Sequence, residues 1–200
     1  MVYYSRSILF FGEEGTTVNT ALLSKVLSAR IQEIRKDSQL HVLTQLDEPS
    51  GNEPRVTHYV AYTDFSADQQ QKQTASIYVF TPYKNLDNHN RAIIEYQTQL
   101  MFNYNPWQKT MHIIVLETLG AASSLAFFDY QNHGLATVAL KGLIGLARRN
   151  GYTHIDGVVS SFDGVDDLLR ISDLFQKVGF SVQTNPSNPH VGEYSYALTK

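Results

Sequence analysis

Residues Gln131-Asn132-His133 lead into Gly134-Leu135-Ala136-Thr137, so that a polar tripeptide, a glycine and small residues open onto an apolar, helix-forming stretch. A chain that turns at a glycine and passes at once into a helix leaves up to four backbone N–H groups without partners. It aims them at one point, where the helix dipole adds roughly half a positive charge. Such a turn can hold a phosphate or pyrophosphate through main chain alone. Gly134 would let the backbone approach the anion without a Cβ in the way, and Ala136 keeps the helix start narrow. Turns of this kind also occur in many α/β proteins that bind nothing, and His133 can be a plain turn residue. A second candidate is Glu117, a lone carboxylate near the end of the apolar run "TMHIIVLETLG". Facing a cleft, a carboxylate there could act as a general base, work worth about 10²–10⁴ in rate; the other reading is a strand-end surface residue.

The elements that must position these residues follow from periodicity. Leu22, Leu23, Val26, Leu27, Ile31 and Ile34 recur at helical spacing after Thr16-Thr17 and predict a helix over about 18–36. "LHVLTQL" (40–46), "RVTHYVAYTDF" (55–65) and "ASIYVFTP" (75–82) read as strands, and the polar segments 47–54 and 67–74 as connectors. A second helix is expected over about 88–103, then strands at 110–120 and 123–130, the latter feeding directly into the polar tripeptide. After a helix that ends near Gly151 come a strand, 153–160, and a capped helix, 163–180. In that helix Asp163, Asp166 and Asp167 suit the start, Lys177 and Gly179 suit the end, and the core face would be Val165, Leu168, Leu169, Ile171, Phe175 and Val178. Two terminal strands, "FSVQT" and "EYSYALTK", close the chain. The alternation in the second half argues for a mixed sheet with helices on its faces.

At 200 residues the chain fits one domain with a core of its own. A formal net charge of −3 gives no general attraction to nucleic acid or to anionic lipid. The absence of cysteine excludes disulfide scaffolds, thiolate zinc sites and cysteine nucleophiles, and fits a reducing cytoplasm. No metal site is expected. The start of the chain lacks the pattern of a signal peptide, and no stretch approaches the roughly 20 apolar residues that span a bilayer.

Gln131-Asn132-His133-Gly134-Leu135-Ala136 resembles the signature of the GNAT acetyltransferase superfamily: Gln or Arg, two residues, Gly, one residue, Gly or Ala. Tyr130 stands where that family often has an aromatic residue. The helix ending "ARRNGY" and the later ending "LFQKVGF" resemble the family's usual helix ends, the second matching its "LYEKLGF". The resemblance covers about 110–200. It implies an α+β fold with a mixed, mostly antiparallel sheet, helices on both faces and a splayed cofactor cleft. The whole chain, 1–200, would be one such domain, with 1–109 as a divergent substrate-side half and 110–200 as the half that binds CoA.

The resemblance also implies an enzyme that carries an acetyl group from acetyl-CoA, or another acyl-CoA, to an amine of a small molecule or a protein. The pyrophosphate would rest on N–H groups from about His133 to Thr137. The pantetheine would pair like an added strand along Ala126, Phe127 and Phe128. No nucleic acid or membrane partner is implied, and oligomeric state is left open, with a homodimer as one arrangement.

Two departures stand out. The family's tyrosine, which meets the leaving thiolate, falls on Phe175, and its frequent asparagine falls on Leu168. A thiol with pKa near about 8.5 makes protonation at pH 7 worth only about 2 kcal/mol, so water, Ser172, Tyr152, Tyr194 or Tyr196 could substitute. The alternative function is a GNAT-like module that binds acyl-CoA or a partner without turnover.

Overall fold

The structure is a computed structural model that describes residues 20–46, 56, 58–68, 74–126, 128–160, 165–185 and 188–198. Its first element, helix α1 (Thr20–Lys36), buries Leu23, Leu27, Ile31 and Ile34, the stripe expected from the sequence. Strands β1 (His41–Leu46), β2 (Tyr59–Thr63), β3 (Thr74–Phe80), β4 (Thr98–Asn105) and β5 (Thr110–Thr118) follow as an antiparallel series. Helix α2 (Leu135–Arg149) crosses over to β6 (His154–Ser160), which lies parallel to β5. Helix α3 (Val165–Lys177) then leads to β7 (Ser181–Asn185) and β8 (Asn188–Ala197). One eight-stranded sheet results, ordered β1-β2-β3-β4-β5-β6-β8-β7, mixed and mostly antiparallel as expected. The helix starts proposed at Thr16-Thr17 and Asp163 lie outside the described residues.

Alternation along the strands assigns the two faces. Ala61, Ile77, Val79, Leu100, Phe102, Met111, Ile113 and Ile155 turn to one side and join the buried residues of α2 with Phe175, Phe180 and Tyr194. Val60, Tyr62 and Phe80, one residue out of phase, form a separate cluster with Leu27, Ile31 and Ile34 of α1 on the other side. Helices therefore occupy both faces, but α1 packs at the β1–β3 end of the sheet, whereas α2 contacts every strand from β1 to β6. That breadth explains why α2 is apolar on nearly every side: eight of its fifteen residues are buried, while Lys141, Arg148 and Arg149 are exposed.

Two predicted elements are absent. No helix forms over 88–103; residues 81–97 are irregular and β4 begins at Thr98. Two buried amides hold this segment in place of helix hydrogen bonds. Asn85 donates to the carbonyls of Thr81 and Ile94 and accepts from Ile94 N–H, and the Gln97 side-chain oxygen accepts from Thr81 N–H. Beyond Gln97, Leu100, Phe102 and Tyr104 are buried at every second residue, the period of a strand, and Ile93 is exposed. Nor is 123–130 a strand. It belongs to a loop that leaves the end of β5 and returns to it, closed where Tyr130 N–H donates to Leu119 C=O at 3.0 Å. Leu169 also departs from the expected core face of α3: it is exposed, and Leu168, Ser172 and Phe175 form the buried stripe.

Candidate active site

The site is organised by the parallel contact between β5 and β6. Strands β5 and β6 pair from Thr110↔His154 to Ile113↔Gly157 and no further, although β5 runs to Thr118 and β6 to Ser160. A β-bulge lies at the point of separation. Phe102 of β4 faces Ile113 while Met101 faces Val115, which makes Ile114 the extra residue. A bulge bends and twists its strand, so β5 leaves β6 here while staying paired with β4, and β6 stays paired with β8. The result is a wedge between two unpaired strand edges, and Ile114, Val115 and Val158 beside it are exposed. Its apex is the pair Ile113–Gly157.

About five residues of β5, roughly 17 Å of extended chain, run from the apex to Thr118, and the loop neck Leu119–Tyr130 then returns the chain to the start of α2. The neck is anchored on both sides. Leu119 N–H donates to Gln97 C=O, and the Tyr130 hydroxyl reaches the carbonyls of Tyr83 and Lys84 at 3.1 and 3.0 Å. Gln131 packs its side chain against Gly120, where an added Cβ would stand 2.8 Å from the Gln131 Cδ, and its N–H is held by the Asp129 carboxylate. The His133 Nδ1–H donates to Gln131 C=O at 2.7 Å, and its ring meets the edge of Phe128.

Gly134 is the N-cap of α2 in a left-handed conformation, φ 82°, and Asn132 is left-handed too, φ 60°. The helix ladder begins with Val138 N–H donating to Gly134 C=O. The N–H groups of Leu135, Ala136 and Thr137 have no partner within the helix, and no acidic side chain lies in its first turn. A cavity of about 370 Å³ runs along α2 from Gly134 and Thr137 to Lys141 and Arg149, between the helix and Leu43 and Thr44 of β1 and Tyr59 of β2.

On the face covered by α2 and α3, Tyr194 of β8 stands opposite Gly157. Its ring stacks on Phe175 at 4.0 Å between centroids, and it is 5% exposed. A Cβ on Gly157 would come within 2.6 Å of its Cε2 and Cζ, so the glycine is what admits the phenol beside the apex. Burial, and secondarily the Asp156 carboxylate, push the Tyr194 hydroxyl up from its ordinary value, which keeps it protonated. On the open face, His112 and Asp156 face each other across the strands, one residue before the apex.

The site residues expected from sequence therefore separate into three groups. Gln131, Asn132, His133, Gly134, Leu135, Ala136 and Thr137 come together as the turn and helix start. Ala126 and Phe128 lie on the loop rather than on a strand edge, because the loop closes at Leu119–Tyr130, and Phe127 lies outside the described residues. Phe175 is buried behind Tyr194. Glu117 is exposed near the end of β5, opposite Gln99 and on the same face as His112. Sequence reasoning missed His112 and Asp156, for which the only signal was a polar residue at the same point of two apolar strands. Among the described residues no group of three or more His, Asp or Glu side chains could hold a metal ion, and no helix is long and apolar enough to cross a membrane.

No protein-family model matches the chain, and no curated protein sequence does. Solved structures that align with it include the ribosomal-protein-S18-alanine N-acetyltransferase from Escherichia coli, at 11% identity and TM-score 0.42 over 67% of this chain and 75% of that one. Another is the PaiA N-acetyltransferase from Thermoplasma acidophilum in complex with coenzyme A, at 9% identity and TM-score 0.41 over 65% of this chain and 64% of that one. A third is the dodecameric spermidine N-acetyltransferase from Vibrio cholerae, at 9% identity and TM-score 0.44 over 64% of this chain and 66% of that one.

Proposed function

We propose that the chain is an acyl-CoA-dependent N-acyltransferase of the GNAT kind, transferring an acetyl or other acyl group to an amine of a small molecule or a protein. One observation carries the reading: the sheet opens after Ile113–Gly157, and the opened β5 edge leads to a helix start with three unpaired N–H groups. A long thioester with an anionic end fits that arrangement. The N–H groups of Leu135, Ala136 and Thr137 would hold the pyrophosphate, with His133 and Gly134 forming the turn and Gln131 and Asn132 the rim. The edge of β5 from Ile114 to Thr118 would take the extended arm, in place of the edge expected at Ala126, Phe127 and Phe128. Phe128 would then serve by bracing His133.

Bound acyl-CoA supplies the activated carbonyl, and the chain supplies orientation and proton transfer. Tyr194, whose hydroxyl stands beside the apex at Gly157, is the group that would relay a proton to the leaving sulfur in place of the tyrosine that Phe175 replaces. Glu117, exposed on β5, would draw a cationic acceptor toward the wedge. The cysteine-free composition fits action in the cytoplasm.

Binding tests the reading directly. Acetyl-CoA at about 100 times its Kd should stabilise the protein by about 2.7 kcal/mol, a rise in Tm of roughly 5–10 °C for a chain of this size. No rise at millimolar acetyl-CoA would sink it. A rise without thiol release against any amine would favour the second reading, a module that binds acyl-CoA without turnover, to which the buried Phe175 and Leu168 point.

A further inference from the structure

On the open face of the sheet, away from α2 and α3, the His112 imidazole and the Asp156 carboxylate lie 2.6 Å apart, Nδ1 to Oδ1. His154 is the third member of the group, its Nε2 3.6 Å from Asp156 Oδ2. The neighbours opposite them on the outer strands, Asn103 on β4 and Ser195 on β8, carry no charge. His112 and Asp156 are the last facing pair on this side before the wedge opens. Their side chains are 50% and 39% exposed, and a pair this open to water contributes at most about 1 kcal/mol to folding. Its clearer effect is chemical. A carboxylate can only accept, so in the neutral ring Nδ1 is the nitrogen that carries the proton and Nε2 the one with the lone pair.

We propose that His112, oriented by Asp156, is the general base that removes the proton from the amine acceptor at the mouth of the wedge. The assignment rests on the acyl-transfer reading above. It divides the apex by face. The His112 ring stands on the open side of Ile113–Gly157 and the Tyr194 hydroxyl on its covered side. Nε2 takes one proton from the acceptor ammonium, and the freed amine forms the C–N bond at the thioester carbon. As the C–S bond breaks, the amine nitrogen loses its second proton and the sulfur gains one, through Tyr194. The net products are the amide, the free thiol and one proton, which His112 returns to water. Asp156 acts only through His112, as a positioning residue.

The proposal is tested with the full chain, using acetyl-CoA as donor and spermidine or a lysine peptide as acceptor. His112→Gln should lower kcat by about 10²–10⁴, leave the acetyl-CoA-induced rise in Tm unchanged, and recover rate when free imidazole is added. Independently of activity, ¹⁵N NMR of the neutral His112 ring should show the Nδ1–H tautomer, lost in Asp156→Asn. Absence of the Tm rise in the unsubstituted protein overturns the acyl-transfer reading and the base with it. With the rise present, the base assignment alone is overturned by an unchanged rate in His112→Gln, by an Nε2–H ring, or by no thiol release with either amine.

Discussion

The two faces of the sheet at the β5–β6 apex are built from different materials. The face under α2 and α3 is apolar and packed, and burial there pushes the Tyr194 hydroxyl up from its ordinary value. The opposite face carries His112, Asp156 and Glu117, all open to water. This contrast suits a reaction whose two substrates differ in the same way. A large anionic thioester can be held by backbone donors and a shaped groove, which need no particular side chain. A small cationic amine must be guided and deprotonated, which does.

If the covered face binds through main chain, its most sensitive position is a residue without a side chain. Gly134→Val should be the most damaging substitution in the molecule for binding. A β-branched residue at φ 82° is strained, and its side chain would enter the space the anion needs. Acetyl-CoA affinity should fall by at least about 100-fold, equivalent to about 2.7 kcal/mol, read by the loss of the acetyl-CoA-induced rise in Tm. Unchanged affinity would mean that the donors of α2 are not the anion site.

The glycine turn at the start of α2 was also the most legible part of the sequence, because a glycine before a helix is a local signal. Its neighbour was not. "SSLAFFDY" has the composition of a strand, and only the hydrogen bond between Tyr130 and Leu119, eleven positions apart, makes it a loop. The irregular segment before β4 was hidden for a similar reason: Asn85 and Gln97 look like surface residues until their burial is seen. The α1 stripe and the terminal α3-β7-β8 order were readable from period alone. His112 and Asp156 were not, since residues 44 positions apart meet only through strand register.

Two substitutions test whether the covered face also takes part in chemistry. Gly157→Ala forces a Cβ against the Tyr194 ring, and overpacking of this kind costs about 1–3 kcal/mol. Chemical denaturation should register that loss, and turnover should fall with it because the phenol is displaced from the apex. Tyr194→Phe keeps the stacking on Phe175 but removes the acid. Since a leaving thiol is easily protonated near neutrality, kcat should drop only about tenfold, with the KM for acetyl-CoA unchanged. A wild-type rate in Tyr194→Phe would assign sulfur protonation to water and reduce the covered face to binding alone.

Glu117 should give the smallest effect, and the kind of effect matters more than its size. It shares the open face with His112 but stands five positions farther along β5, past the bulge, and it is exposed. A charge in that setting attracts a cation through a high dielectric, where one unit pair at 4 Å is worth roughly 1–4 kcal/mol before screening. Glu117→Gln should therefore raise the KM for a polyamine a few-fold, less so at high salt, because surface charges are screened beyond a Debye length of about 8 Å at physiological ionic strength. Its kcat should stay near that of the unsubstituted protein. A large fall in kcat with KM unchanged would instead make Glu117 the proton acceptor, as its place at the end of an apolar strand first suggested, and would leave His112 and Asp156 as a surface pair.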